Sequence, residues 1–252
     1  MNCFGMSDVG KIRKNNEDSF YIQVYDNDHV IGVVADGMGG HKGGKKASSI
    51  AVKVISEYVE ALLPDMLSFT ERKLKQALIK AVKSANKAIY DDAVNSTELS
   101  GMGTTAVVCY ISGGKLYALN AGDSRLYIIN DKITQVTKDH SFVGELVELG
   151  VISEQQAQHH PQKNIITRAL GTEPEIDVDI YTEKLNDGDT ILLCTDGLTN
   201  MLSDKKIIEL VNSDSDISVV TKALIDEAKK SGGNDNITAV VIKTSDGGED
   251  VK

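Results

Sequence analysis

The order of structural elements written into this chain constrains its fold more than any single motif does. Short runs of β-branched and apolar residues come first, at 20–25 and 30–35, and two helical repeats follow. In the first, Ala47, Ile50, Ala51, Val54, Tyr58 and Leu62 recur at helix spacing; in the second, Leu74, Leu78, Ala81, Ala85 and Ile89 do. Strand patterns then return as a block at 105–111, 115–120, 125–130 and 133–137, with hairpin-like turns at Ser112-Gly113-Gly114 and Asn130-Asp131-Lys132. A polar segment, 139–161, carries a short helix near 145–149. Strands at 176–182 and 190–194, a helix pair at 204–211 and 217–230, and a last strand at 237–242 complete the pattern. Runs of strands broken by paired helices predict an α+β fold, not the alternation of a parallel sheet. Strands from both ends of the chain must then share sheets. A central β-sandwich of two antiparallel sheets flanked by pairs of α-helices buries these faces well.

No linker-like stretch divides residues 1–244, so one domain is expected, followed by a short frayed tail at 245–252. The formal charge of −10 argues against nucleic acid as a partner, because phosphate backbones select basic surfaces. No apolar run has the length of a membrane span, and the N-terminus turns polar too soon for a secretory signal. A cytoplasmic chain, not inserted in membrane and monomeric, is the expectation. Cys3, Cys109 and Cys194 are too far apart for a C-x-x-C metal site and read as small buried hydrophobes.

Three acids stand at strand ends. Asp36 closes VIGVVADG, Asp196 closes TILLCTDG and Asp123 closes LYALNAGD, while Asp235 lies just before the final strand. A strand fixes the direction of its last side chain, and a glycine after it lets the backbone turn and expose its carbonyl. Asp-Gly is also the commonest hairpin turn signal, so a single instance reads as a turn more often than as a ligand. Several together in an acidic chain point to a cation, since clustered carboxylates repel without one and all-oxygen ligation suits Mg²⁺ or Mn²⁺. Arg13, in the basic run Lys11, Arg13, Lys14, offers a planar guanidinium that can take two phosphate oxygens, although on composition alone the run reads as a solvated basic turn beside an acidic one.

Two rival chemistries are weaker. Residues 39–45 fit G-x-x-x-x-G-K of a nucleotide-binding P-loop, but Lys46 stands where a magnesium-binding Ser or Thr belongs, and the later elements look antiparallel. A cysteine-based phosphatase needs C-x5-R, and the residues six beyond the cysteines are Val9, Lys115 and Asn200.

Seven motifs in order carry a family resemblance: RKNNED (13–18), ADGMGGHKGG (35–44), GMGTT (101–105), AGDSR (121–125), ITRALG (166–171), TDGL (195–198) and GGNDN (232–236). Together they resemble the metal-dependent protein phosphatases of type 2C, in the bacterial serine/threonine phosphatase branch. The resemblance implies a signalling hydrolase in which a metal-bridging hydroxide attacks phosphoserine or phosphothreonine in line, without a covalent intermediate. It implies that Asp36 bridges two Mn²⁺ or Mg²⁺ ions, with the Gly37 carbonyl completing one site and Asp196 and Asp235 ligating the other ion. Glu17 and Asp18 would hold metal-bound waters, Arg13 would bind the substrate phosphate, and Asp123 with Asp196 would form a weaker third metal site. Many eukaryotic members have histidine where this chain has Met38; His41, three residues on, is a candidate proton donor to the leaving alkoxide, with the alternatives that a metal-bound water donates and that His41 only shapes the Gly-rich turn. Residues 141–163 correspond to a flap beside the site, and Arg168 reads as a flap anchor. His159 and His160 there read as an exposed loop. Phosphoprotein substrates and an opposing serine/threonine kinase follow from the resemblance. The alternative function is an inactive phosphoprotein-binding domain of the same fold.

Overall fold

The computed structural model describes residues 1–26, 29–39, 43–66, 68–213 and 215–244; the tail at 245–252 and His41 lie outside the described residues. Its strands are β1 (Asn2–Asp8), β2 (Ser19–Val24), β3 (Val30–Ala35), β4 (Gly37–Met38), β5 (Gly103–Thr104), β6 (Ala106–Ser112), β7 (Lys115–Ala121), β8 (Arg125–Ile129), β9 (Ile133–Gln135), β10 (Asp179–Lys184), β11 (Thr190–Cys194) and β12 (Ile237–Lys243). Its helices are α1 (Gly43–Met66), α2 (Glu71–Asn95), α3 (Phe142–Glu148), α4 (Glu154–Gln158), α5 (Asp196–Thr199), α6 (Asp204–Val211) and α7 (Ile217–Lys230).

Two five-stranded antiparallel sheets form, in the orders β1-β12-β11-β8-β9 and β10-β7-β6-β3-β2. The period-2 alternation of side chains along each strand sorts the core into layers. From β3 and β6, Ile31, Val33, Ala35, Ala106, Val108 and Tyr110 face α1 and α2. Their neighbours Val30, Val34, Val107, Cys109 and Ile111 meet Ile191, Leu193, Val240 and Ile242 of the other sheet. On that sheet's outer face, Leu192, Cys194, Ala239 and Val241 pack against α6 and α7 through Ile207, Val220 and Leu224. Strands covered on both faces read as unbroken apolar runs, which is why β3 and β11 were legible without alternation. The sandwich with helix pairs outside it is as expected.

Some elements depart from the sequence expectations for local reasons. The strand β1 pairs with β12 along its whole length, Asn2 opposite Lys243 to Asp8 opposite Ile237, yet its pattern is broken at Gly5. A Cβ there would lie 2.5 Å from the ring of Phe20, so the pattern is interrupted by a packing demand. The strand β9 ends early because the Thr137 hydroxyl takes the amide of Leu126 at 3.0 Å in place of a backbone carbonyl. Ile176 and Val178 pack under α2 before β10 begins. The flap carries α4 as well as α3; His159 is exposed, while His160 turns its ring toward Phe142 at 6.1 Å. The path from β3 through α1 and α2 returns on β6, antiparallel to β3, which removes the P-loop reading. Among the described residues no helix is long and apolar enough to cross a membrane.

Candidate active site

The Asp36-Gly37 and Asp196-Gly197 pairs lie where a strand of the sandwich stops, and neither makes a hairpin turn. Asp36 follows β3, and its backbone is clamped by the segment around β5. Its amide donates to Thr105 Oγ1 at 2.9 Å, while its carbonyl accepts from Thr105 N at 2.9 Å and Thr104 Oγ1 at 2.8 Å. The Thr105 hydroxyl lies 2.7 Å from that of Ser124, so the strand end carrying Asp36 is tied to the turn carrying Asp123.

Gly37 is required by proximity, not by a left-handed backbone. A Cβ on it would stand 2.1 Å from the Gly44 carbonyl oxygen at the start of α1 and 2.7 Å from that of Glu17. Gly197 is pressed in the same way, 1.9 Å from the Asn236 carbonyl oxygen. The glycine therefore lets a second chain segment approach, and that approach holds the acid-bearing strand end in place.

Asp196 opens α5 and accepts from Asn200 Nδ2 at 2.9 Å on Oδ2, while its Oδ1 is buried with no partner. Behind it lies Asp18, 2% exposed, whose Oδ2 accepts from Thr238 Oγ1 at 2.6 Å and Thr195 Oγ1 at 3.0 Å and whose Oδ1 also has no partner. Asp235 accepts an ion pair from Arg13 at 2.7 Å across the mouth of the site. Asp123 sits almost buried between β7 and β8. Arg13, Glu17, Asp36, Gly37, Asp123, Asp196 and Asp235 all line one cleft of about 730 Å³, into which the flap projects Lys163 and Ile166. These seven residues thus converge, with Asp18 just behind the wall, while His41 lies outside the described residues.

The charges bear the cost of that convergence. Burial first, and then the neighbouring carboxylates, push Asp18 up to about 7 and Asp36 and Asp196 above the ordinary carboxylate range. Asp123 is raised to about 7 by burial and by the charges of Asp196 and Asp139. A divalent cation relieves both the repulsion and the two partnerless oxygens, so this donor set fits Mn²⁺ or Mg²⁺. Among the described residues no group of three or more His, Cys, Asp or Glu side chains gathers closely enough to hold a metal ion by itself. The acids instead face one another across a cleft, an arrangement suited to ions that keep several of their waters.

Sequence reasoning missed the residues that hold the acids. Asn236 ties the two chain ends together: its Oδ1 accepts from Glu17 N at 2.8 Å, and its Nδ2 donates to the carbonyls of Val9 at 3.0 Å and Asn15 at 2.9 Å. Thr105, Thr195 and Thr238 do similar work beneath Asp36 and Asp18. The GMGTT, TDGL and GGNDN motifs contain three of these residues, but spacing alone gives no hint of their partners.

Known proteins resemble this chain in sequence and fold. The protein phosphatase 2C family model matches residues 11–234. The serine/threonine phosphatase stp of Listeria innocua serovar 6a is 38% identical over 94% of this chain and 93% of its own length. Protein phosphatase PhpP of Streptococcus pneumoniae serotype 2 is 35% identical over 96% of each chain. Among solved structures, the S. agalactiae serine/threonine phosphatase superposes with a TM-score of 0.87 at 32% identity, covering 96% of this chain and 99% of that one. The catalytic domain of the serine/threonine protein phosphatase PstP, solved with two manganese ions, gives 0.82 at 33% identity over 97% and 98%.

Proposed function

The chain belongs to the protein phosphatase 2C family, and from that premise we propose that it is a metal-dependent protein serine/threonine phosphatase working in the acidic cleft. One observation carries the reading: acids from separate strand ends meet in a single cleft beneath Arg13, with buried carboxylate oxygens of Asp18 and Asp196 left without a partner.

In this reading Asp36, the Gly37 carbonyl, Asp196 and Asp235 would hold two Mn²⁺ or Mg²⁺ ions, and Asp123 with Asp196 would hold a third, weaker one. Bound divalent cations supply a water acidic enough to ionise near neutral pH, together with positive charge opposite the phosphoryl oxygens. Glu17 and Asp18 accept hydrogen bonds from water around the ions. Arg13 lies on an exposed loop at the cleft mouth, within reach of Asp235, and its planar fork takes two phosphoryl oxygens when substrate enters. It thereby orients the ester for in-line displacement and offsets charge as the phosphoryl group transfers. The substrates are phosphoserine and phosphothreonine proteins, which implies an opposing serine/threonine kinase. We read the chain as one domain over residues 1–244, acting as a cytoplasmic monomer.

The test is hydrolysis of a phosphothreonine peptide by chelator-stripped protein, with and without Mn²⁺, beside the Asp36→Ala variant. Activity should vanish on stripping, return with Mn²⁺ and stay absent in the variant. A rate indifferent to metal, or unchanged in Asp36→Ala, would sink the mechanism. A folded wild-type chain that stays inactive with every divalent cation would favour the phosphoprotein-binding alternative.

A further inference from the structure

Asp123 owes its position to a turn, and that turn is gripped from behind by the root of the flap. Gly122 has φ +118°, and a Cβ there would lie 2.6 Å from Thr105, so sterics fix the shape of the turn. A reciprocal pair of bonds to His140 fixes its orientation. Gly122 N donates to His140 Nδ1 at 3.0 Å, and His140 N donates back to the Gly122 carbonyl at 3.0 Å. Because Nδ1 accepts a hydrogen bond from the amide, the ring hydrogen sits on Nε2, which faces Asp179 Oδ2 at 3.2 Å. Arg168 Nη1 donates to the other oxygen of Asp179 at 2.9 Å; it also stands 2.9 Å from Nε2, and since both nitrogens then carry hydrogen, the Asp179 carboxylate is the acceptor for each. On the other side of Asp123, Arg125 makes a forked ion pair with Asp139, its Nε and Nη2 lying 2.7–3.0 Å from the carboxylate oxygens. Consecutive residues Asp139 and His140 therefore hold the chain on both sides of Asp123.

The flap starts and ends at the same place. Thr167 N donates to the His140 carbonyl at 2.9 Å, Phe142 N to the Ile165 carbonyl at 2.9 Å, and Ser141 bridges to Ile166.

We propose that His140, oriented by Asp179, is a positioning residue that aims Asp123 at the cation site it shares with Asp196 and fastens that site to the root of the flap. The inference rests on the reading above, in which Asp123 and Asp196 hold a divalent cation. A buried imidazole that only filled volume would not need a bare Nδ1 facing an amide or an acceptor facing Nε2. The pattern matches the way outer hydrogen bonds orient metal-binding groups, whose loss costs about 10–100-fold in metal affinity.

Two variants of the full chain separate the roles of the ring nitrogens. In His140→Asn the amide oxygen occupies the place of Nδ1 and can still accept from Gly122; in His140→Gln the polar group reaches the place of Nε2 and leaves the Gly122 amide unpaired. Mn²⁺ titrations followed by electron paramagnetic resonance should resolve tight and weak binding in the wild type. His140→Gln should weaken the weak phase by about 10–100-fold and leave the tight phase alone, while His140→Asn stays close to wild type. Equal behaviour of the two variants, whether both intact or both impaired, overturns the proposal. Should His140→Gln fail to give a folded melting transition, Asp179→Asn carries the test: an unchanged weak phase there overturns the proposal, and a weakened one supports it. A wild-type chain that binds no Mn²⁺ defeats the underlying reading of the cleft, a result distinct from a defect confined to the variants.

Discussion

Raising the pH should destabilise the metal-free protein, and binding Mn²⁺ should cancel the effect. Asp18 and Asp123 are both held at about 7 against an ordinary 3.8, chiefly by burial and then by neighbouring carboxylates. A carboxyl whose pKa is higher in the folded chain than in the unfolded one keeps its proton longer when folded. Between about pH 4 and pH 7 the fold holds protons that the unfolded chain has released, so stability falls as pH rises through that window. One pH unit of displacement corresponds to about 1.4 kcal/mol, so each of these carboxyls costs the metal-free fold on the order of 4 kcal/mol at pH 7 and above. In a chain of this length that is on the order of 10 °C in Tm. Asp36 and Asp196 are displaced in the same direction and add to the trend. Thermal melts of chelator-stripped protein should therefore show Tm dropping from pH 5 to pH 7.5. Saturating Mn²⁺ should flatten the profile, and calorimetry in buffers of different ionisation enthalpy should register protons released on binding. Asp18→Asn supplies the internal control, because its amide oxygen still accepts from Thr195 and Thr238 but nothing titrates. Without metal it should melt above wild type at pH 7.5, and by less than half as much at pH 5. A metal-free Tm that is flat or rises over this range, with no proton release, would refute the reasoning.

Other substitutions probe single links. Gly37→Ala places a methyl 2.1 Å from the Gly44 carbonyl oxygen and should cost about 3 kcal/mol or more together with tight Mn²⁺ binding, read by urea melts and metal titration. Arg13→Lys loses the planar fork but keeps the charge, so kcat/KM toward a phosphothreonine peptide should fall by about 10–100-fold while Mn²⁺ affinity holds. Asn236→Ala removes three part-buried bonds that tie the two ends of the chain; a loss of about 1–3 kcal/mol should appear in denaturant melts, with faster proteolysis near residues 9–17.

What the sequence disclosed and what it hid divide along physical lines. Strands β3, β6, β7, β11 and β12 were legible because both faces are buried, and helices α6 and α7 because their apolar faces repeat at helical spacing. The sequence hid β1, where Gly5 yields to the Phe20 ring, and α5, which begins on the very residue that reads as a turn. The acids of the site were visible because strand ends carry a local mark. Their supports were not, since Asn236 acts on residues 219 and more positions away and His140 on a turn formed 18 residues earlier. Long-range hydrogen bonds leave no periodicity, and only the sandwich brings their partners together. Likewise Asp-Gly suggested a turn or an exposed carbonyl, whereas Gly37 and Gly197 answer to backbone approaching from other segments.

That distribution of supports bears on whether the chain needs its metal in order to fold. A site made of mutually repelling acids can be assembled by the ion itself, as in small zinc domains that are unfolded without it. Here each acid is held by contacts that do not involve an ion: Asp36 by Thr104 and Thr105, Asp18 by Thr195 and Thr238, and Asp123 by the turn braced on Thr105 and His140. Three buried layers on either side of two sheets supply stability independent of the cleft. Metal should therefore stabilise an already folded chain by mass action, about 2.7 kcal/mol at a hundredfold excess over Kd, and not create the fold. The cost of holding the carboxylates together is met by the sandwich in advance, which leaves the cleft ready for cations at rigid strand ends.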